Sequence, residues 1–389
     1  MDSAPTIFQT GFRIFFASAS IYSVGIVLLW SAIYSFGAPV VLGMPALSWH
    51  AHEMVFGYCG GVIAGFLLTA VTNWTGRPTL HGWPLAGLAL VWWIARVAIC
   101  LPGSKALVVA VVANQCFGLG LCVAVSRPIF QVKQWRQLGV LSKLYGLVLV
   151  QGIFFASVFG LWVPGYRWGL YGGVFLVLGL VIMIGHRVVP FFSGNARQDG
   201  RPLRQSRALD RVCLVAFLVL MLVVIAWPGH WLGVVAAGVL ALGHSIRLQG
   251  WYHEGVRRTP LLWLLFAGWA FVILGFVCVA LGPWLSLSPF VSLHAWMYGG
   301  VGLFTFGMMA RVSLGHTGRG VQRTPRGLAT AGLVLVLGAC ARVVGPAVDP
   351  THVHIWIVMS QVAWLVSFAW LIGCYWRIWY EPRVDGKPG

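Results

Sequence analysis

His50-Ala51-His52-Glu53 opens an apolar stretch that runs to Asn73-Trp74-Thr75-Gly76-Arg77. Two imidazoles and a carboxylate at the lip of such a stretch are costly unless they bind something, and an ionisable residue inside a bilayer marks a functional site. A second stretch, from His294 to Thr317-Gly318-Arg319, repeats the first without gaps. With His52 laid on His294, Gly57 falls on Gly299, Gly60 on Gly302 and Gly65 on Gly307. His352 and His354 place imidazole at a third helix start on the same side. Imidazole is the commonest protein ligand for haem iron, copper and zinc, so the chemistry these residues suit is metal ligation.

The spacing refines that expectation. Residues two apart on a helix point roughly 200° away from each other. His50 and His52, or His352 and His354, therefore read as one ligand and one partner with another task. One arrangement satisfies the pattern: His52 and His294 as opposite axial ligands of a b-type haem, with Gly57, Gly61 and Gly299 clearing room for the macrocycle. Haem c is excluded by the lack of Cys-x-x-Cys-His. His50, His352 and His354 could form a second site, and an imidazole-only set suits copper. Glu53 is a candidate acceptor behind a ligand, or a proton carrier. His186, in Gly185-His186-Arg187-Val188-Val189-Pro190, is a further candidate metal ligand, although lipid contact accounts for its arginine neighbour equally well. The small-residue stripe Gly57, Gly61, Gly65 also has a plain reading as helix packing.

The elements that must position these residues are membrane helices. Hydrophobic residues make up 59% of 389 and charged residues 9%, with a mean hydropathy of +0.86. That balance excludes an ordinary soluble globule. Runs long enough to cross a hydrocarbon core fall at 13–36, 50–71, 83–102, 105–126, 138–162, 168–190, 209–227, 231–248, 260–282, 290–311, 327–346 and 352–378. The expected fold is all-α, a polytopic bundle of about twelve transmembrane helices in one integral domain spanning 1–389. The alternation of a membrane barrel is absent, and helices satisfy their own backbone in lipid.

A net charge of +18 would suit nucleic acid if it clustered on a soluble face, but it sorts by loop. Arg127, Lys133 and Arg136, then Arg197, Arg201, Arg204 and Arg207, then Arg257 and Arg258, then Arg319, Arg323 and Arg326 follow even-numbered spans. The positive-inside rule makes those loops and both termini cytoplasmic. His50, His52, His294, His352 and His354 then lie near the outer face, and the partner is the lipid bilayer, with no nucleic acid. The eight cysteines lack any metal-type spacing and read as buried apolar thiols. Trp49, Trp74, Trp83, Trp168, Trp231, Trp284 and Trp356 read as an aromatic belt.

Trp49-His50-Ala51-His52-Glu53-Met54-Val55-Phe56-Gly57, Gly65-Phe66-Leu67-Leu68-Thr69-Ala70-Val71, Asn73-Trp74-Thr75-Gly76-Arg77, Arg187-Val188-Val189-Pro190-Phe191-Phe192 and His294-Ala295 resemble the signature of the NnrS family. The resemblance covers essentially the whole chain. It implies a bacterial inner-membrane protein that contains haem and copper and belongs to the response to nitric oxide and nitrosative stress, with nitric oxide or iron-nitrosyl species as partners. It supplies no reaction, redox partner or ligand assignment; an oxidoreductase acting on nitric oxide is the enzymatic reading. The architecture is also similar to the main subunit of haem-copper oxidases, with three four-helix units. Tyr171-Gly172-Gly173-Val174 and Tyr298-Gly299-Gly300-Val301 would make spans two, six and ten equivalent. The chain departs from those subunits in lacking the metal-ligand histidines of helices six and seven. Two other classes fit the composition: a secondary transporter of a metal, chelate or small anion, and a b-type cytochrome that carries electrons.

Overall fold

Each of the twelve apolar runs folds as helix in the computed structural model, which describes residues 4–197, 203, 205–322 and 324–387. Arg201, Arg204 and Arg323 of the basic loops lie outside the described residues. The helices are α1 (Gly11–Ser35), α2 (Ala46–Thr75), α3 (Gly82–Ala98), α4 (Ser104–Gln131), α5 (Trp135–Val158), α6 (Gly165–Ala196), α7 (Arg207–Ala226), α8 (Trp231–Trp251), α9 (Pro260–Leu285), α10 (289–316), α11 (Leu328–Val348) and α12 (Pro350–Tyr380). No strand occurs among the described residues. Ten of these are long and apolar enough to cross a membrane as continuous helices. The other two are α3, a shorter apolar helix, and α10, which is three consecutive segments. The chain is an all-α, multi-pass membrane protein.

Two helices carry a π-helical segment directly after the singled-out histidine: Glu53–Tyr58 follows His52 in α2, and Ala295–Gly302 follows His294 in α10. A π segment inserts extra backbone into the turn and often marks a functional site. Both helices also end alike. Gly76 and Gly318, of the two Thr-Gly-Arg sequences, take left-handed φ of 66° and 76°, a conformation glycine adopts at no steric cost and the usual stop for a helix. The repeat read in sequence is therefore a repeat of backbone conformation. Span six does not share it, because α6 runs without a π segment.

The chain divides into two compact units. The first comprises Met1–Val177, Met309–Arg323 and Phe368–Gly389. Within it α1 packs on α2, α3 on α4, and α4 on both α2 and α5. Small residues make the close approaches: a Cβ on Gly65 would stand 2.7 Å from the Phe16 ring, and one on Gly61 3.1 Å from Trp92. Phe12, Phe15, Trp49, Trp92 and Phe154 are fully buried there. Arg13 ties the C-terminal end of α12 by donating to the carbonyls of Ile378, Trp379 and Glu381 at 3.1, 3.1 and 2.8 Å.

The second unit comprises Leu178–Met308 and Thr324–Ser367. In it α9 packs on α8 and on the π segment of α10, and α8 packs on α7. Trp251, Trp269 and Phe276 form its buried aromatic centre. Trp83, Trp231 and Trp284 are exposed at helix ends, as a belt requires, whereas Trp49 belongs to the core. None of the eight cysteines is in a disulfide, but Cys116 and Cys340 are exposed and are not buried thiols as expected.

Candidate functional site

His52 and Glu53 sit at the start of the α2 π segment, and both are fully buried. Glu53 is the hub of a polar network that four other helices complete. It accepts from His52 Nδ1 at 2.6 Å, from Arg96 Nη1 of α3 at 2.5 Å and from the Tyr22 hydroxyl of α1. Arg96 also donates to Asn114 of α4. Gln151 of α5 joins the far side, with its Nε2 3.1 Å from Asn114 Oδ1 and 3.2 Å from His52 Nε2. Two sequence features open the space for this. Gly57 lacks the Cβ that would collide with the Arg96 guanidinium, and the π turn presents the Gly57 carbonyl to Trp92 Nε1 at 3.3 Å.

The charges and protons balance. A buried carboxylate or guanidinium is costly alone and tolerable when paired and fully hydrogen-bonded. Glu53 meets that condition with three donors, and Arg96 supplies the opposite charge and donates through both Nη atoms, while its buried Nε has no hydrogen-bond partner among the described residues. Since an ionised carboxylate only accepts, the proton between His52 and Glu53 lies on Nδ1. The Nε2 lone pair then faces the Gln151 amide. The His52 ring is enclosed by Phe56, Phe154 and Phe155, with centroids 5.1, 5.0 and 4.9 Å away. Carboxylate on one nitrogen and a lone pair on the other is the arrangement of a metal-ligating histidine.

His294, in the second unit, has the same tautomer by different means. Its Nδ1 donates to the Phe290 carbonyl at 2.7 Å, and its Nε2 accepts from Arg342 Nη2 at 3.0 Å. Arg342 of α11 is the counterpart of Arg96: the two lie in Ala341-Arg342-Val343 and Ala95-Arg96-Val97, each on the helix after the π-bearing one. Where α2 has Glu53, α10 has Ala295, so the guanidinium reaches the imidazole directly.

At both imidazoles Nε2 is the atom that could ligate a metal ion, faced by the neutral Gln151 amide at His52 and by the Arg342 guanidinium at His294. The glycines fit another role than the one expected. Gly57 seats Arg96, Gly61 faces Trp92 and Ala19, and Gly299 faces the Phe271 ring, so protein fills the room they make. The copper candidates belong to both units. His50 stacks on Trp30, with centroids 4.2 Å apart, in the first unit. His352, largely exposed, bonds Asp349 at 3.0 Å in the second, and His354 is exposed. Among the described residues no three His, Cys, Asp or Glu side chains are grouped to hold a metal ion. Desolvation would raise the Asp349 carboxyl, but hydrogen bonds from His352 and Trp356 outweigh it and hold it below its ordinary value.

His186 belongs to a separate group. Its Nε2 lies 3.1 Å from Asp210 Oδ1, which also accepts from Arg247 Nη2 at 2.7 Å. Arg247 Nη1 lies 3.4 Å from His244 Nδ1, and His244 stacks on Phe276. This is an ion-pair network joining α6, α7 and α8.

Sequence reasoning found His52 and Glu53 but missed Tyr22, Arg96, Asn114, Gln151 and Arg342. A signal was there: Arg96 is the one charge in the run 83–102, and Arg342 the one in 327–346. A lone ionisable residue in an apolar span marks a buried partner.

Among curated proteins no relative matches the chain. Its sequence matches the family described as NnrS protein over residues 6–383, nearly the full length and inclusive of every residue of the network. The chain therefore belongs to the NnrS family, membrane proteins of the nitric oxide response.

Proposed function

We propose that the protein binds nitric oxide or an iron-nitrosyl species at the network around His52, in the inner membrane of a bacterium, and thereby contributes to resistance to nitrosative stress. The observation that carries this reading is the state of His52: buried, walled by aromatic rings, its Nδ1 proton held by Glu53 and its Nε2 lone pair facing only the neutral amide of Gln151. A b-type haem is the cofactor this donor chemistry suits: His52 would ligate its iron, as could His294 in its own unit, and an iron with one position not taken by imidazole would supply the binding site for the diatomic ligand. The chain's own residues do the rest. Glu53 orients the imidazole, Arg96 neutralises Glu53, and Phe56, Phe154 and Phe155 exclude water. The residues assigned to copper belong to different units, and no role is derived for that metal.

The test is spectroscopic. Protein purified in mild detergent from cells supplied with haem and copper should give a reduced-minus-oxidised spectrum of b type, and that spectrum should shift when nitric oxide is added. A sample with no haem, no metal and no response to nitric oxide would contradict the proposal.

A further inference from the structure

Between α2, α4 and α5 of the first unit runs a crevice of about 40 Å³. Its walls are Val55, Phe56, Ile63, Phe117, Leu144 and Val148, and Gly60 and Gly118 widen it. Gln151 is its one polar lining residue, and the same amide contacts His52 Nε2 at 3.2 Å. The crevice thus ends against the candidate site.

Its depth and its mouth matter together. Gly60, Gly118 and Val148 lie midway along α2, α4 and α5, the level of the hydrocarbon core. All three are partly exposed. Around them, the outward faces of α4 and α5 are apolar and open, with Val112, Leu119, Val123 and Leu149 all more than half exposed. From Ile63 to Val55 the crevice follows α2 for about 12 Å, at roughly 1.5 Å per residue. It leads from mid-bilayer toward His52.

Size selects the occupant. One water-sized probe needs roughly 10–15 Å³, and apolar cavities stay dry and take up apolar guests such as xenon. A crevice of about 40 Å³ accommodates a molecule of two or three heavy atoms and is far too small for a macrocycle. Apolar gases dissolve better in hydrocarbon than in water, because opening a cavity in water is costly.

We infer that this crevice is a lateral entry and holding site for a small apolar gas dissolved in the bilayer, delivering it to the Gln151 and His52 end. The inference names the route for the ligand of the proposed function and rests on that reading only for the identity of the gas.

Xenon tests it without involving nitric oxide or any cofactor. Crystals of the full chain pressurised with xenon should show xenon between Gly60, Phe117 and Leu144. A Cβ on Gly60 meets nothing closer than Phe117 at 3.8 Å, so the backbone there accepts a side chain, and Gly60→Leu should occupy the void and abolish the signal. Leu144→Ala should enlarge the void and raise xenon occupancy. No xenon in the wild type, or a lipid acyl chain seated there with xenon excluded, overturns the inference. A nitric oxide response without xenon binding overturns the crevice alone. Xenon binding without a nitric oxide response supports the crevice and overturns the proposed function.

Discussion

Arg342 donates to Nε2 of His294 at 3.0 Å, whereas its counterpart Arg96 stops at Glu53, whose carboxylate stands between it and His52. One side chain makes the difference, Glu53 in α2 against Ala295 in α10. Both halves of the repeat have histidine, π segment and arginine, and only the first has a carboxylate that separates the imidazole from the cation. That asymmetry assigns different chemistry to the two histidines: His52 has a fixed proton and a neutral amide at its lone pair, while His294 must shed a guanidinium to ligate anything.

Removing the carboxylate should leave Arg96 buried and uncompensated. Breaking one side of a buried pair costs about 3–5 kcal/mol, whereas removing both often costs little. Glu53→Ala is therefore expected to destabilise the protein strongly in detergent unfolding experiments, and Glu53→Ala with Arg96→Met to be more stable than Glu53→Ala alone. Additive losses in the double variant would show that the two residues are not coupled.

Two glycine substitutions should differ in sign. A Cβ on Gly57 would collide with the Arg96 guanidinium and come within 2.8 Å of Glu53 Oε2, so Gly57→Ala should cost about 1–3 kcal/mol, as overpacking does. Gly25, in α1, has nothing within 4 Å of its Cβ position. Gly25→Ala should be neutral or gain up to about 1 kcal/mol from helix propensity. Thermal unfolding of the two variants side by side checks the contrast.

The twelve helices were legible because each crossing demands an unbroken apolar run, and length alone locates it. His52 and His294 were legible through the glycines around them. The network was less so, since Tyr22, Arg96, Asn114 and Gln151 come from four different helices and no local spacing links them. The role of the glycines also required the structure: a stripe of small residues says that something approaches closely, and only packing shows whether it is a cofactor or, as at Gly57, an arginine. For the copper candidates the structure adds local partners that no spacing announces, Trp30 stacked on His50 in the first unit and Asp349 bonded to His352 in the second.

The C-terminal tail should undock in acid. Arg383 donates to the His316 carbonyl at 2.8 Å and to Asp385 at 2.6 and 2.9 Å, and Val384 N–H donates to Thr317 at 3.2 Å. The hydrogen bonds from Arg383 hold the Asp385 carboxyl well below its ordinary value. A carboxyl lowered by docking favours the docked tail above its unfolded pKa of about 3.9, and that contribution disappears as pH falls through the docked value. Amide exchange at Val384 should therefore be slow near neutrality and speed up in strong acid beyond the intrinsic trend. Asp385→Asn should exchange faster than wild type near neutrality and lack that acid transition.

The central claim is that His52, with its tautomer set by Glu53, is the ligating end of the nitric oxide site. The most direct measurement is the haem content and nitric oxide difference spectrum of His52→Ala, His294→Ala and His230→Ala purified side by side, with unfolding midpoints to confirm that each is folded. His230 lies at the exposed N-terminus of α8. Loss of the b-type spectrum and of its nitric oxide shift in the first two variants, with both retained in His230→Ala, is the predicted result. A folded His52→Ala protein with full haem and an unchanged nitric oxide shift would contradict the account.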